Sequence, residues 1–332
     1  MNTTGIIGHE RQLRVLSLLL RNGNTPHSML FSGKSGIGKK LIARRFLAAL
    51  SCGAGDPPCG ACPSCLQAAG GSHPDIIELL PDDKGSIPIG DADRSEPGTV
   101  RWLIERLSKK SVSGRYGVLI DGADTIRVEG QNALLKTIEE PQAGTHIIII
   151  TSNKSLILPT ILSRSLDLSF SPLGADEVRE VLAAAGTAVE PGLAAALSGG
   201  SLETALALSD EAVLAGVREV CGEITSYLTR GENLRLDLAA LQKKIGMDQL
   251  LSVLLTVYRS LLLPGMGGEP AHPFLAEYDV PDRQKLKQLI KILLALRKGL
   301  ANNLNIRNAL KGMLYAIDGM DGYGLPAPDS AD

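Results

Sequence analysis

The sequence predicts an α/β fold in its first half, a parallel sheet interleaved with helices, followed by a half built of helices alone. Three observations carry this. Apolar runs of strand length at residues 29–31, 76–80, 116–121, 146–150 and 166–170 alternate with stretches of helical periodicity, the order of a parallel sheet covered on both faces. A glycine-rich loop, Gly33-Lys34-Ser35-Gly36-Ile37-Gly38-Lys39-Lys40, joins the first run to a helix-forming stretch. Beyond Glu211, apolar residues recur at intervals of three and four, as in a packed bundle.

Composition bounds the function. A chain of 332 residues has room for two or three domains. Aromatic residues make up only 3%, with Trp102 the single tryptophan, which argues against a platform that stacks single-stranded bases. A net charge of −2 argues against strong autonomous DNA binding, which needs a basic surplus. The opening residues carry no signal-peptide pattern, and no apolar run is long enough to span a bilayer. A cytoplasmic protein with no membrane partner is expected.

Taken in order, residues 10–21 place Leu13, Leu16, Leu19 and Leu20 on one helical face, and Thr25-Pro26-His27 turns the chain into the first strand. His27 reads as a turn residue, with proximity to a nucleotide base as the alternative. The loop that follows fits G-x-x-x-x-G-K-[ST] up to its last position. Gly33, Gly36 and Gly38 let backbone N–H groups converge at a helix N-terminus, and Lys39 offers a charge to β- and γ-phosphates. The last position calls for a hydroxyl that holds Mg²⁺, and there stands Lys40, which cannot ligate a cation. The loop reads as able to hold the phosphates of ATP while lacking its metal-holding half. An active and a vestigial nucleotide site both stay open.

Cys52, Cys59, Cys62 and Cys65 fall in one short window. Four thiolates with two x₂ gaps suit a closed tetrahedral Zn²⁺ shell of structural type; free thiols or a redox pair are the alternatives. Cys221 stands alone and reads as a small core residue. Residues 81–98 read as a surface loop and 100–110 as a helix whose Lys109 and Lys110 form a solvated end. The third strand ends in Asp121, a carboxylate placed to face metal and phosphates in the Walker B manner, with Gly122 after it and Asp124 two further on. A helix is expected over 131–141, and the fourth strand leads into Thr151-Ser152-Asn153, with Asn153 a further candidate nucleotide contact. A short helix, 159–162, precedes Arg164 and the fifth strand. Pro172-Leu173-Gly174 marks a boundary. Helices follow at 176–185, 191–197, 201–208, 213–228, 234–245, 248–263, 284–300 and 306–317, and the Gly-, Asp- and Pro-rich end after Gly319 reads as disordered.

Asn132-Ala133-Leu134-Leu135-Lys136-Thr137-Ile138-Glu139-Glu140-Pro141 and Ser163-Arg164-Ser165 resemble signatures of the clamp-loader AAA+ family, in which the second motif reads Ser-Arg-Cys. The four-cysteine insertion followed by Ser72-His73-Pro74-Asp75 narrows the resemblance to bacterial DNA polymerase III loader subunits. Motors of that family carry a Walker A hydroxyl and a glutamate after the Walker B aspartate. Lys40 and Gly122 replace them here, which is similar to the delta-prime type.

The resemblance implies an AAA+ P-loop domain over 1–172 with a five-stranded parallel sheet and the zinc insertion at 52–65. It further implies a small helical lid over 173–209 and an all-α collar over 210–318 that joins subunits into a ring. Leu304-Asn305-Ile306-Arg307 resembles the collar's closing motif, and Glu203 stands where motors carry a nucleotide-sensing arginine. The implied function is that of a structural, non-hydrolysing subunit. Its partners would be the loader's motor and delta subunits in a hetero-oligomeric ring, and the sliding clamp and primer–template DNA through the complex. Arg164 would act as an arginine finger on a neighbour's nucleotide, with a local ion pair to Asp167 as the alternative. Two competing readings are an active motor ATPase, favoured by Gly38, Lys39 and Asp121, and a zinc module for protein or DNA contact.

Overall fold

The computed structural model describes residues 1–91, 96–187, 191–232, 234–236, 238, 241, 244–262, 280–299 and 306–317. The chain divides into two units, Met1–Glu177 and Val178–Asp332.

The first unit is built on β1 (Ser28–Ser32), β2 (Ile76–Leu79), β3 (Tyr116–Asp121), β4 (Thr145–Thr151) and β5 (Leu166–Ser169), all parallel in the order β2-β3-β4-β1-β5. The five strands and their parallel direction are those the sequence predicts. Side chains alternate between the faces, as the pleat requires. Met29, Phe31, Leu119, Ile148 and Ile150 pack with α1 (Glu10–Arg21) and α2 (Lys39–Ser51). Leu30, Val118, Ile120, Ile147 and Ile149 pack on the other face with α4 (Val100–Ser108) and α5 (Val128–Glu139). Both faces are covered, which is why these strands read as unbroken apolar runs.

Several boundaries differ from expectation for local reasons. Helix α5 begins at Val128 rather than at residue 131, because Gly130 lets the first turn close on Ile126; a Cβ there would lie 2.7 Å from Ile126 Cγ2. It stops at Glu139, since the proline at 141 biases Glu140 out of the helical region. Helix α4 ends at Ser108, so Lys109 and Lys110 lie beyond it. A helix inside the cysteine insertion, α3 (Pro63–Ala69), was not anticipated. The Cys62 thiol caps it by accepting from the Cys65 N–H, and Pro63 occupies its first turn. The short α6 (Pro159–Leu162) precedes β5 as expected.

Helix α7 (Ala175–Ala184) begins at the end of the first unit, and among the described residues the second unit continues with α8 (Pro191–Ser198), α9 (Leu202–Leu208), α10 (Glu211–Arg230), α11 (Met247–Leu262), α12 (Arg283–Gly299) and α13 (Ile306–Ile317). Cys221 is fully buried in α10, and Tyr258 of α11 donates its hydroxyl to the Cys221 carbonyl at 2.9 Å. The expected helix over 234–245 fails at its start. Residues 234–236 are not helical. Leu236 is buried at φ 43°, with its N–H donated to the Glu223 carboxylate at 2.6 Å. A leucine held in the left-handed region breaks a helix at that point. The expected disordered end, 319–332, and Leu304 and Asn305 lie outside the described residues. Among the described residues, no helix is long and apolar enough to cross a membrane.

Ser72-His73-Pro74-Asp75 joins the insertion to the sheet. His73 is buried, with Nε2 3.0 Å from Ser64 Oγ on α3, while its Nδ1 accepts the Asp75 N–H at 3.2 Å. The Asp75 carboxylate, 1% exposed, accepts the N–H groups of Val112 at 2.9 Å and Ser113 at 2.6 Å. Burial opposes its ionisation, but the donors from Ser113 and Val112 outweigh that and hold it below the usual carboxylate range. A depressed folded-state pKa means that the stabilisation is complete above about pH 4 and decays as pH falls through the lowered value. Replacing Asp75 with Asn places an amide against two N–H donors. We expect a loss on the order of 1–3 kcal/mol at neutral pH and a melting temperature that no longer carries the Asp75 share of the acid limb. An Asp75→Asn chain with an unchanged melting curve from neutral to acid pH would show the contact to be inert.

Candidate functional site

Strand β1, buried at all five positions, delivers the glycine loop to the C-terminal edge of the sheet. The approach is close: a Cβ on Gly33 would lie 2.3 Å from the Phe170 carbonyl oxygen, so only glycine fits. Gly38 caps α2 at φ 98°, again a glycine conformation, and Gly36 holds φ 72°. The imidazole of His9, at the start of α1, meets the Ile37 carbonyl at 2.8 Å and braces the loop from outside.

Lys39 is 5% exposed and folds back on the loop, donating to the carbonyls of Gly33 at 2.6 Å and Lys34 at 2.5 Å. Burial lowers its pKa to about 8, against the raising influence of Asp121 and Asp124. Lys40 Nζ lies 3.3 Å from Asp121 Oδ2. The residue that replaced the metal-binding hydroxyl is therefore paired with the carboxylate expected to face the metal. Asp121 and the loop share one edge because β3, β4 and β1 are in register there.

Three further residues complete this edge. Gly122 adopts φ 84°, and a Cβ on it would come within 2.9 Å of the Pro81 ring. A glutamate at 122 meets both a left-handed backbone and a steric block. Asp124 accepts the Ser152 hydroxyl at 2.6 Å and the Ser152 N–H at 3.3 Å. Asn153 lies at the same edge after β4, and its Oδ1 accepts the Ser155 N–H at 3.1 Å and the Ser155 hydroxyl at 2.7 Å, capping a short 3₁₀ turn.

Arg164 is elsewhere. It precedes β5, whose Leu166 pairs with Met29 near the beginning of β1, whereas the loop follows the end of β1. With five residues in β1, rising ~3.3 Å each, the two are separated by roughly 15 Å along the sheet. Arg164 Nε is 2.7 Å from Glu139 Oε1, and Nη1 donates to the Thr160 carbonyl at 3.0 Å and to Ser163 Oγ at 3.2 Å. Its ion-pair partner is thus Glu139, not Asp167. Asp167 instead takes Lys154 at 2.5 Å and the Ser32 hydroxyl at 3.0 Å, because as a β5 residue it lies beside β1 and the Lys154 turn.

The four clustered cysteines come together. The Sγ atoms of Cys52, Cys59, Cys62 and Cys65 all lie within 4.8 Å of one another, with the 59–65 and 52–62 pairs at 4.0 Å. Tetrahedral ligands at ~2.3 Å from zinc would be ~3.8 Å apart, so the cage fits one such ion. The Cys62 N–H points at Cys59 Sγ at 3.4 Å, and the Cys65 N–H at Cys62 Sγ at 3.5 Å. Backbone N–H groups of Ala61 and Cys62 lower the Cys59 thiol pKa to about 6, whereas burial pushes Cys65 up to about 12. His73 is committed to Ser64 and Asp75 and stands outside this shell.

What the sequence did not reveal is the pairing of these groups. Glu139 belongs to one family-like motif and Arg164 to the other, and only the fold shows that they touch. The same holds for Lys40 and Asp121.

The model of the family described as "DNA polymerase III, delta subunit" matches residues 8–174. The tau/gamma subunit of Haemophilus influenzae is 32% identical over 233 residues, covering 67% of this chain and 32% of that protein. The delta' subunit of Pseudomonas aeruginosa is 36% identical over 200 residues, covering 58% of this chain and 57% of that protein. The delta' subunit of Bacillus subtilis is 32% identical over 173 residues, covering 50% and 49%. The chain spans about a third of the length of the tau-type relatives and about half that of the delta' ones. Matched by that model across half of its residues, with its glycine loop, Asp121 and cysteine cage all inside the matched span, the chain belongs to the DNA polymerase III delta subunit family.

Proposed function

We propose that this chain is a structural, non-hydrolysing subunit of delta-prime type in a DNA polymerase III clamp loader. The observation that carries the reading is the Lys40–Asp121 ion pair at 3.3 Å, which sets an ammonium against the carboxylate expected to face a metal. Gly122 adds to it, since no carboxylate follows Asp121 to activate water. Lys39 neutralises phosphate charge, and Asp121 is occupied by Lys40.

In this reading the protein is cytoplasmic and works in a ring with motor and delta subunits, meeting the sliding clamp and primer–template DNA through the complex. Residues 1–172 form the AAA+ domain, 173–209 the lid and 210–318 the collar. The cysteine cage holds one Zn²⁺ as a structural ion, through Cys52, Cys59, Cys62 and Cys65. Arg164 serves a neighbour's nucleotide, supported by its distance from its own loop along the sheet and by its partial exposure. A guanidinium suits that task, being always charged and able to fork across two phosphate oxygens.

The tau-type relatives favour a second reading, an active motor subunit with Gly38, Lys39 and Asp121 in register. Turnover separates the two. The isolated chain is expected to hydrolyse no ATP above background; turnover that survives purification and disappears in Lys39→Ala would establish the motor reading. In a reconstituted loader, Arg164→Ala should leave assembly and melting temperature near normal. DNA-stimulated hydrolysis by the partners should fall, by less than the ~10³–10⁵ of a single essential arginine finger. Unchanged partner turnover would make Arg164 structural.

Protein purified without chelator should contain about one zinc per chain. Cys62→Ser should lose that metal and become sensitive to proteolysis at residues 52–72, while the sheet stays formed. A fully folded wild-type chain without metal would exclude the zinc assignment.

A further inference from the structure

We infer that the glycine loop is a metal-independent anion site, in which Lys40 stands in for the divalent cation and the ligand is a diphosphate- or triphosphate-bearing molecule taken without Mg²⁺. The residues present do not fit a metal. Mg²⁺ demands near-octahedral oxygen ligands, and position 40 offers an ammonium instead. That ammonium lies 3.3 Å from Asp121 Oδ2, so a dication at the carboxylate would meet a positive charge at close range. Asp124, the nearby second carboxylate, is engaged by Ser152 through both its oxygens.

The charges point the same way. Lys39 and Lys40 stand against Asp121 and Asp124, with glycine at 122, so the protein's own charges balance without an ion. No carboxylate at 122 calls for a dication, and the N–H groups of the glycine loop supply the remaining attraction for phosphate. The cradle itself is intact, with Gly36 and Gly38 at positive φ and Lys39 held over the loop by the carbonyls of Gly33 and Lys34. Phosphate oxygens compete with those carbonyls for Lys39, and with Asp121 for Lys40. Mg²⁺ acts against binding, because it neutralises the ligand and brings a like charge toward Lys40.

The test is equilibrium dialysis of the full chain against ADP, ATP and inorganic pyrophosphate, with excess EDTA or excess Mg²⁺. The expected result is binding in EDTA at least about tenfold tighter than in Mg²⁺, with Lys40→Thr reversing that preference. Lys40→Gln, which removes the charge without restoring a metal ligand, should weaken EDTA binding by about tenfold and gain nothing from Mg²⁺. Lys40 is partly exposed, and melting curves verify that both variants fold. Three results would each overturn the inference: wild-type binding that requires Mg²⁺, binding unaffected by either substitution, or no binding of any of the three anions in either buffer. The inference shares the Lys40–Asp121 pair with the non-hydrolysing reading, but none of these results touches the Arg164 experiment, which tests the loader role by itself.

Discussion

Burial of strand β1 on both faces is the constraint on which the first unit depends. Its side chains alternate between two apolar clusters, and its backbone is fixed by β4 on one side and β5 on the other. Each of Met29, Leu30 and Phe31, fully buried, contributes on the order of 1.5–3 kcal/mol by leaving water. Slipping the register by a single residue would exchange the two faces. The ends of the strand inherit this rigidity. At one end Gly33 is pressed against the Phe170 carbonyl and the phosphate loop begins. At the other, Ser28 and Ser165 hydroxyls meet at 2.7 Å, one residue from Arg164. A single buried strand thus sets the spacing between the chain's own anion cradle and the arginine proposed to serve a neighbour's.

At the cradle, the departures from a hydrolytic site are of two kinds. Lys40 is a side-chain change and reversible in principle, since Asp121 remains in place. Gly122 is a backbone change: the chain turns there in the left-handed region, with the Pro81 ring where a Cβ would go. A glutamate written back at 122 would strain the strand-to-turn junction before it could position a water. On the proposed non-hydrolysing reading, Pro81 and the turn stand in the way of hydrolysis as much as the missing carboxylate does, and a single substitution would not restore it.

The sheet, its parallel direction and its five strands were legible because each strand is an apolar run between helices, and helical periodicity located most helices within a few residues. Helix α3 was not, because seven residues give too little periodicity and its capping group is the Cys62 thiol, a residue read first as a metal ligand. The break at Leu236 was invisible because leucine favours helices; the buried N–H to the Glu223 carboxylate overrides that preference from thirteen positions away in sequence. Candidate site residues could be named singly, from spacing against a motif. Their partners could not, since the Lys40–Asp121 and Arg164–Glu139 contacts join segments that are distant in sequence. Asp167 was a reasonable partner for Arg164 by proximity in sequence, but residues three apart do not face each other once the second has entered a strand.

The cysteine insertion shows how a module without a core of its own is coupled to one that has it. Among its thiols only Cys65 is buried, so apolar burial contributes little to its order, and the proposed zinc would supply the rest. Cys52 caps the C-terminus of α2, whose N-terminus carries Lys39 and Lys40. The other side of the module is tied through Ser64, His73 and Asp75 to the turn that precedes β3, the strand that ends in Asp121. The cage therefore sits between the far ends of the two elements whose near ends form the Lys40–Asp121 pair. Helix α2 and strand β3 also pack directly, through Leu47 against Gly117, where a Cβ would lie 3.2 Å from Leu47 Cδ2. Cage, glycine contact and ion pair fix the helix and the strand at three heights, which is the arrangement that resists a relative tilt. The backbone positions of Lys39 and Lys40 are thus set by the packing of the helix on the sheet.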